Sequence, residues 1–405
     1  MDKNCLKYAC LFGGGAIRGA AHVGVVKALE ELNIEYETIG GSSVGSIVAA
    51  LLAVGYTAVE LREVFLQANF ELFRDIQFNL GEKFAISKGE IFLDWVRELI
   101  EKKYYGEAYN KGANEPVRFC DINKNLVIIT TDLTNFHCKE FSKKYTPDFE
   151  IATAVRISSC MPGLMKPFEY DNNILVDGDL QKSWPMWRLS DSLDNLDERI
   201  LEIRLEGGCG GKDMGTLNYV NTVYSCVTSI ATEFVIDRYS GNDKYDFIVL
   251  NTGDIIIIDF NQSKENREKM MDSGYKETIR YFKEYLPKKK DHLFEIYDSL
   301  YSMFGRINSA ILSKNVKKAK MLLGEVFMYL ADHSKFIDEN IQDMILAYRN
   351  DFLDNIKYPA LFGITRLNNS KEILAQTENI LALLKNKVLE MKDYNLLIRK
   401  KNIDN

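Results

Sequence analysis

The chain has 405 residues, 46% hydrophobic and 27% charged, with a net charge of −7 at pH 7. That length suits two domains, or one large domain with an appendage, and the composition is ordinary for a soluble globular protein. Only 7 prolines and no low-complexity tract exclude long disordered segments.

In chain order, the apolar run "YACLF" (8–12) ends at three glycines and reads as a buried strand. Residues 19–32 follow as a helix with Val23, Val26, Leu29 and Leu32 on one side. Residues 36–39 are a second strand running into "GGSSVG". Residues 44–54 are apolar nearly all round, as in a buried helix, with Gly55 as its stop. Thr57 with Glu60, and Ser87 with Glu90, are capping-box pairs that each predict a helix start. Strands are expected at 125–132, 173–178, 199–205, 246–250 and 255–258, with helices at 215–238 and 263–285. Strands alternating with helices predict an α/β fold with a parallel sheet.

After residue 290 no strand candidate appears. Ile373, Thr377, Ile380, Leu381, Leu384, Val388 and Met391 recur at helical spacing, as do residues in 292–305 and 316–332. The expected division is therefore 1–287 for the α/β domain and 288–405 for an all-helical region. Charge changes at the same place. Residues 288–405 hold 19 Lys and Arg against 15 Asp and Glu, an excess of four cations, whereas 1–287 carries an excess of eleven anions. A mild cationic excess suits either an anionic lipid surface or an ordinary solvated helical surface.

The seven cysteines are odd in number and form no C-x-x-C, which disfavours a zinc ribbon or redox motif. Free thiols suit a reducing compartment, so a cytoplasmic location is expected. The first ten residues lack an apolar core of the kind a signal peptide needs. The longest aliphatic stretch, 47–54, is too short to cross a bilayer, so any membrane contact is expected to be peripheral. No cluster of His, Cys and carboxylates has ligand spacing; no metal and no cofactor are expected.

Of the three serines at 42, 43 and 46, only Ser43 has glycine at both −2 and +2, Gly41 and Gly45. It would be the centre of a G-x-S-x-G nucleophile elbow, which needs a strand before it and a helix after it. "FGGGAIRG" (12–19) follows the first strand. Its position 18 is Arg18 rather than glycine, so it is not a dinucleotide fingerprint, and it has no P-loop lysine. Such a loop offers unblocked backbone N–H groups at a helix start, an anion or oxyanion site. In a parallel sheet both loops reach the same edge. A serine nucleophile needs a base. His22 lies in the first helix, His137 ahead of any later acid, and His292 and His333 in the helical region. Asp177, where a strand runs into Asp-Gly, is the better candidate.

On these residues the chain resembles the patatin-like phospholipases, lipid acyl hydrolases with a Ser-Asp dyad. "GGGAIRG" (13–19), "GSSVG" (41–45) and "DGD" (177–179) match the family's oxyanion loop, elbow and aspartate block in order, and "AVRISSCMPGLMKPF" (154–168) is similar to the stretch that leads to the aspartate. The resemblance implies a three-layer sandwich with a mainly parallel sheet over residues 6–285. It implies Ser43 as nucleophile, Asp177 as base and an oxyanion hole at Gly13, Gly14, Gly15 and Ala16, with Arg18 positioning the loop. The implied substrate is a lipid or phospholipid ester; no nucleic-acid partner is expected. Alternatives are an acyltransferase or thioesterase using the same dyad, or a non-catalytic effector or scaffold with a vestigial site. Two departures stand out. The family pattern has glycine or alanine where this chain has Asp179, which would either raise the Asp177 pKa or face solvent. "LQKSWPMW" (180–187) replaces the usual asparagine-rich segment, and its Trp184 and Trp187 could line an acyl groove, sit at a lipid interface or pack in the core.

Overall fold

The computed structural model describes residues 6–74, 87–181, 199–207, 216–253, 255, 261–357 and 365–403. The expected strand at 255–258 falls almost wholly outside these residues, as do Trp184 and Trp187. The described chain forms two compact units: residues 1–237 with 244–280, and residues 238–243 with 281–405.

The first unit is built on strands β1 (Leu6–Phe12), β2 (Ile34–Glu35), β3 (Thr38–Ser42), β4 (Asn125–Asp132), β5 (His137–Ser142), β6 (Phe168–Tyr170), β7 (Asn173–Asp177), β8 (Arg199–Glu206) and β9 (Tyr245–Asn251). Their order is β6-β7-β4-β3-β1-β8-β9, with β2 beside β1 and β5 beside β4. Pairing is parallel from β4 through β3, β1 and β8 to β9 and antiparallel among β4, β5, β6 and β7. β1 is buried at every position but one, as a central strand covered on both faces must be. Helices α1 (Ala20–Glu31), α2 (Val44–Ala53), α3 (Ala58–Gln67), α4 (Glu90–Tyr105) and α5 (Ile151–Ser158), and then the helix Lys264–Arg280, lie around the sheet.

Thr57 caps α3 through the expected reciprocal box with Glu60. The second expected box does not form. α4 begins after Gly89, whose φ of 74° is left-handed, and its cap carries no side-chain bond. That turn points the Ser87 hydroxyl away from Glu90; it accepts from the Gly89 amide at 3.0 Å and donates to the Phe73 carbonyl at 3.3 Å.

The second unit contains the helices Leu286–Leu312, Val316–His333, Glu339–Asp354 and Ser370–Ile403. Their apolar stripes, from Leu293 to Met391, close on a hydrophobic core made of this unit's own residues. A two-residue antiparallel pairing of Ile356–Lys357 with Arg366–Leu367 interrupts the helices, which helical periodicity does not anticipate. No described helix is long and apolar enough to cross a membrane.

Candidate active site

β3 ends at Ser42, and α2 begins at Val44, so Ser43 occupies the single residue between a buried strand and a buried helix. Its φ of 50° and ψ of −130° are strained for a residue with a side chain. The flanking glycines make the corner possible. A Cβ on Gly41 would lie 2.3 Å from the Gly45 carbonyl oxygen, and one on Gly45 only 1.9 Å from the Phe12 carbonyl oxygen. Backbone therefore touches backbone on both sides of Ser43, and only glycine fits.

The three serines divide the work of this corner. Ser42 donates its hydroxyl to Asp179. Ser46 donates to the Ser43 carbonyl at 2.6 Å, holding the first turn of α2. Ser43 donates its Oγ hydroxyl to Asp177 Oδ2 at 2.8 Å. The Ser43 amide donates to Ser158 Oγ at 3.0 Å, and Ser158 in turn donates to the Ile129 carbonyl of β4. Ser158 was not among the candidate residues; its only sequence signal is its place in the stretch 154–168 leading to the aspartate.

Asp177 is fully buried. It ends β7, an antiparallel strand, and pairs with Thr130 one residue beyond the Ser42–Ile129 pair. The carboxylate thus arrives from the opposite chain direction, level with the elbow. Its amide donates to the Cys160 carbonyl at 2.9 Å, and its Oδ1 accepts from the Asp179 amide at 2.8 Å. This leaves Oδ2 toward Ser43. Burial pushes the Cys160 thiol up to about 12, so it stays protonated beside this carboxylate, donating to the Met165 and Lys166 carbonyls.

In the glycine loop the Gly13 amide donates to the Ile203 carbonyl at 2.8 Å. The Gly14 amide donates to Asp179 Oδ1 at 3.1 Å. Gly15 and Ala16 open a short 3₁₀ turn, and no hydrogen bond from their amides occurs among the described residues. Arg18, nearly buried, donates through Nη1 to the Gly207 carbonyl at 2.6 Å and through Nε to the Gly15 carbonyl at 3.4 Å, fixing the loop from behind. His22 makes a 2.8 Å bond to the Gly13 carbonyl through Nε2 and packs edge-on against Phe12. Burial lowers its pKa to about 4, so the ring is neutral and Nε2–H is the donor. His137 is exposed on β5, His292 packs on Phe336, and His333 bonds the Tyr329 carbonyl.

Ser43, Asp177 and Ala16 line a cleft with Ser87, Ser159 and otherwise apolar side chains. Val44, Ile47, Phe70, Phe73, Phe92 and Met165 supply its walls. Phe70, Phe73 and Phe92 interlock with Trp95 at centroid separations of 4.8–6.2 Å. Arg156 ties the cleft's rim together by donating to the Lys88 and Lys166 carbonyls at 2.6 and 2.8 Å. This aromatic wall was not read as a site from the sequence, because Phe70, Phe73 and Phe92 converge only in three dimensions. Among the described residues no group of His, Cys, Asp and Glu is placed to hold a metal ion.

An uncharacterized protein of Acanthamoeba polyphaga mimivirus is 29% identical over 291 residues, 68% of this chain and 93% of that protein. Lysophospholipase NTE1 of Kluyveromyces lactis is 27% identical over 192 residues, 44% of this chain but only 11% of that protein. Among solved structures, VipD from Legionella pneumophila aligns with a TM-score of 0.49 and 16% identity, covering 98% of this chain and 88% of that one. The glycine loop, the serine turn and the aspartate block all lie within residues 11–185, which match the patatin-like phospholipase family model.

Proposed function

We propose that the protein is a serine-dependent lipid acyl hydrolase acting on a phospholipid or lysophospholipid ester. The observation that carries this reading is the 2.8 Å hydrogen bond from Ser43 to Asp177 in the lining of a mostly apolar cleft. Asp177 accepts the Ser43 proton as Oγ attacks the acyl carbonyl carbon. The Gly15 and Ala16 amides stabilise the tetrahedral oxyanion, and the Gly14 amide joins them only when it leaves Asp179. Collapse expels the alcohol, which takes the proton from Asp177. Water, deprotonated by the same carboxylate, then releases the fatty acid from acyl-Ser43. The apolar walls suit an acyl chain, each buried methylene contributing about 0.8 kcal/mol. We assign the chemistry to residues 1–287 and none of it to the helical region 288–405. We place the protein in a cytoplasmic setting, which suits the free thiols of Cys120, Cys160 and Cys226.

The test is a fluorophosphonate label and a mixed phospholipid incubation with the purified chain. Labelling at Ser43 and release of free fatty acid are expected. Ser43→Ala should lose both, with hydrolysis down by about a thousandfold or more. Hydrolysis by that variant within tenfold of the unmodified protein would refute the assignment.

A further inference from the structure

Between Asp298 and Glu325 the chain carries five cations, Arg306, Lys314, Lys317, Lys318 and Lys320, and no anion, although the whole chain has a net charge of −7. This run forms the end of the helix Leu286–Leu312, a short turn, and the start of the helix Val316–His333. Val316, Ala319, Leu322, Leu323, Val326 and Leu330 face the core of the helical unit. Helical spacing then sends Lys317, Met321, Gly324 and Met328 outward along one stripe, with Lys318 beside it. Met321 is 59% exposed, Met328 74% and Leu312 64%. Arg306 and Lys318, from two different helices, line a single shallow groove.

Cations and exposed aliphatic side chains here share one face, on which the carboxylate of Glu325 is paired with Arg306 at 3.5 Å. Water favours the first and disfavours the second. An anionic bilayer surface satisfies both: phosphates meet the lysines while methionine and leucine enter the boundary between headgroups and acyl chains. A single-stranded nucleic acid would be held by aromatic stacking as well as charge, and this stripe presents no aromatic side chain. We propose that the face formed by Leu312, Lys314, Lys317, Lys318, Met321 and Met328 docks on an anionic phospholipid bilayer. This surface lies apart from the catalytic residues in sequence, and its binding does not depend on the Ser43 chemistry.

The full chain is sedimented with vesicles of phosphatidylcholine alone and of phosphatidylcholine mixed with phosphatidylserine. Binding should strongly favour the anionic vesicles and weaken as salt rises. Each cation near such a surface contributes on the order of fivefold in partitioning. The combined variant Lys314→Glu/Lys317→Glu/Lys318→Glu should therefore lose at least roughly a hundredfold, with thermal melting unchanged. Met321→Ser/Met328→Ser should lose roughly tenfold and keep its salt dependence. Equal binding to both vesicle types, or undiminished partitioning of the lysine variant, would overturn the proposal. So would a lysine variant that loses affinity for duplex DNA or an acidic protein while holding vesicles as before. The salt titration and the vesicle comparison use the unmodified chain, so they decide the matter even if a variant fails to fold.

Discussion

Asp179 joins the glycine loop to the elbow. One carboxylate oxygen accepts both the Gly14 amide and the Ser42 hydroxyl, while its own amide donates to Asp177. The residue is 4% exposed, so it does not face solvent. A Cβ on Gly14 would lie 2.2 Å from Asp179 Oδ2, so the two positions depend on each other. Asp177→Asn should abolish turnover while preserving the fold, because the amide keeps the shape but cannot take the Ser43 proton. Asp179→Asn keeps an acceptor toward Gly14 and Ser42 and should stay within about tenfold of the starting kcat. Asp179→Gly releases the loop and should lower kcat by roughly a hundredfold with little change in KM, as expected for a misplaced oxyanion site. Steady-state rates on a short soluble ester decide this. A faster Asp179→Gly variant would mean that the Gly14 amide that Asp179 withholds matters more than the loop position it fixes. His22 makes a separate prediction. Its folded pKa of about 4 lies below the unfolded value of about 6.5. The unfolded chain therefore binds the proton first, and stability present above pH 6.5 is lost as pH falls toward 4. Between pH 7 and pH 5 this site should cost about 2 kcal/mol. Urea unfolding of His22→Gln, which can still donate to Gly13, should lack that part of the pH dependence; an identical dependence in both proteins would show that His22 is not the group responsible.

At the scale of elements, what the sequence reveals depends on where the chain's partners lie. β1, β4 and β9 each contain an apolar run of at least four residues, so their burial is written in their own residues, whereas β8 (RILEIRLE) alternates aliphatic with charged side chains. β5 (HCKEFS) and β6 (FEY) contain no such run, since they border the sheet and expose part of each strand to water. Their pairing with β4 and β7 supplies an identity that composition does not. The Ser87 pattern misleads for a related reason: the left-handed Gly89 sets where α4 starts, and the local pair Ser87–Glu90 cannot override it. The strand–turn–helix corner was legible because the glycines at 41 and 45 answer local steric demands. Ser158, in contrast, matters only because α5 brings it under the Ser43 amide. Close helix packing gives a testable case. A Cβ on Gly24 of α1 would lie 1.8 Å from the Met271 carbonyl oxygen, and one on Gly274 would lie 2.0 Å from the Ala21 carbonyl oxygen. The two glycines let α1 and the helix Lys264–Arg280 touch backbone to backbone. Gly24→Ala and Gly274→Ala should each cost about 3 kcal/mol by overpacking, despite the helix-favouring substitution. Denaturant midpoints test this; unchanged or raised midpoints would mean that the helices separate without penalty.

At the scale of the whole molecule, the two units keep separate hydrophobic cores, and the chain crosses between them more than once. Residues 238–243 belong to the helical unit although the chain on both sides belongs to the sheet. Lys290, 1% exposed on the helix Leu286–Leu312, pairs with Asp243 in that crossing segment. Burying an ammonium is tolerable only with such a partner, and removing one member of a buried pair leaves the other insufficiently compensated. Asp243 is 19% exposed in its side chain and Lys387 also contributes charge nearby, both of which soften the loss. Lys290→Met should therefore cost about 2–3 kcal/mol, at the low end for a broken buried pair. The cost should fall on the helical unit. Scanning calorimetry of the full chain is expected to show the bundle's transition moving down while the sheet's transition keeps its midpoint. Fluorophosphonate labelling of Ser43 at room temperature should be unchanged, since Lys290 and Asp243 both belong to the helical unit and Ser43 to the other. Lys290→Met/Asp243→Leu, which removes both charges and fills the space with apolar atoms, should recover most of the loss. If Lys290→Met instead lowers both transitions together, the units unfold as one cooperative body and the crossing segment couples them; if it lowers neither, the buried pair contributes no net stability and the apolar core alone holds the bundle.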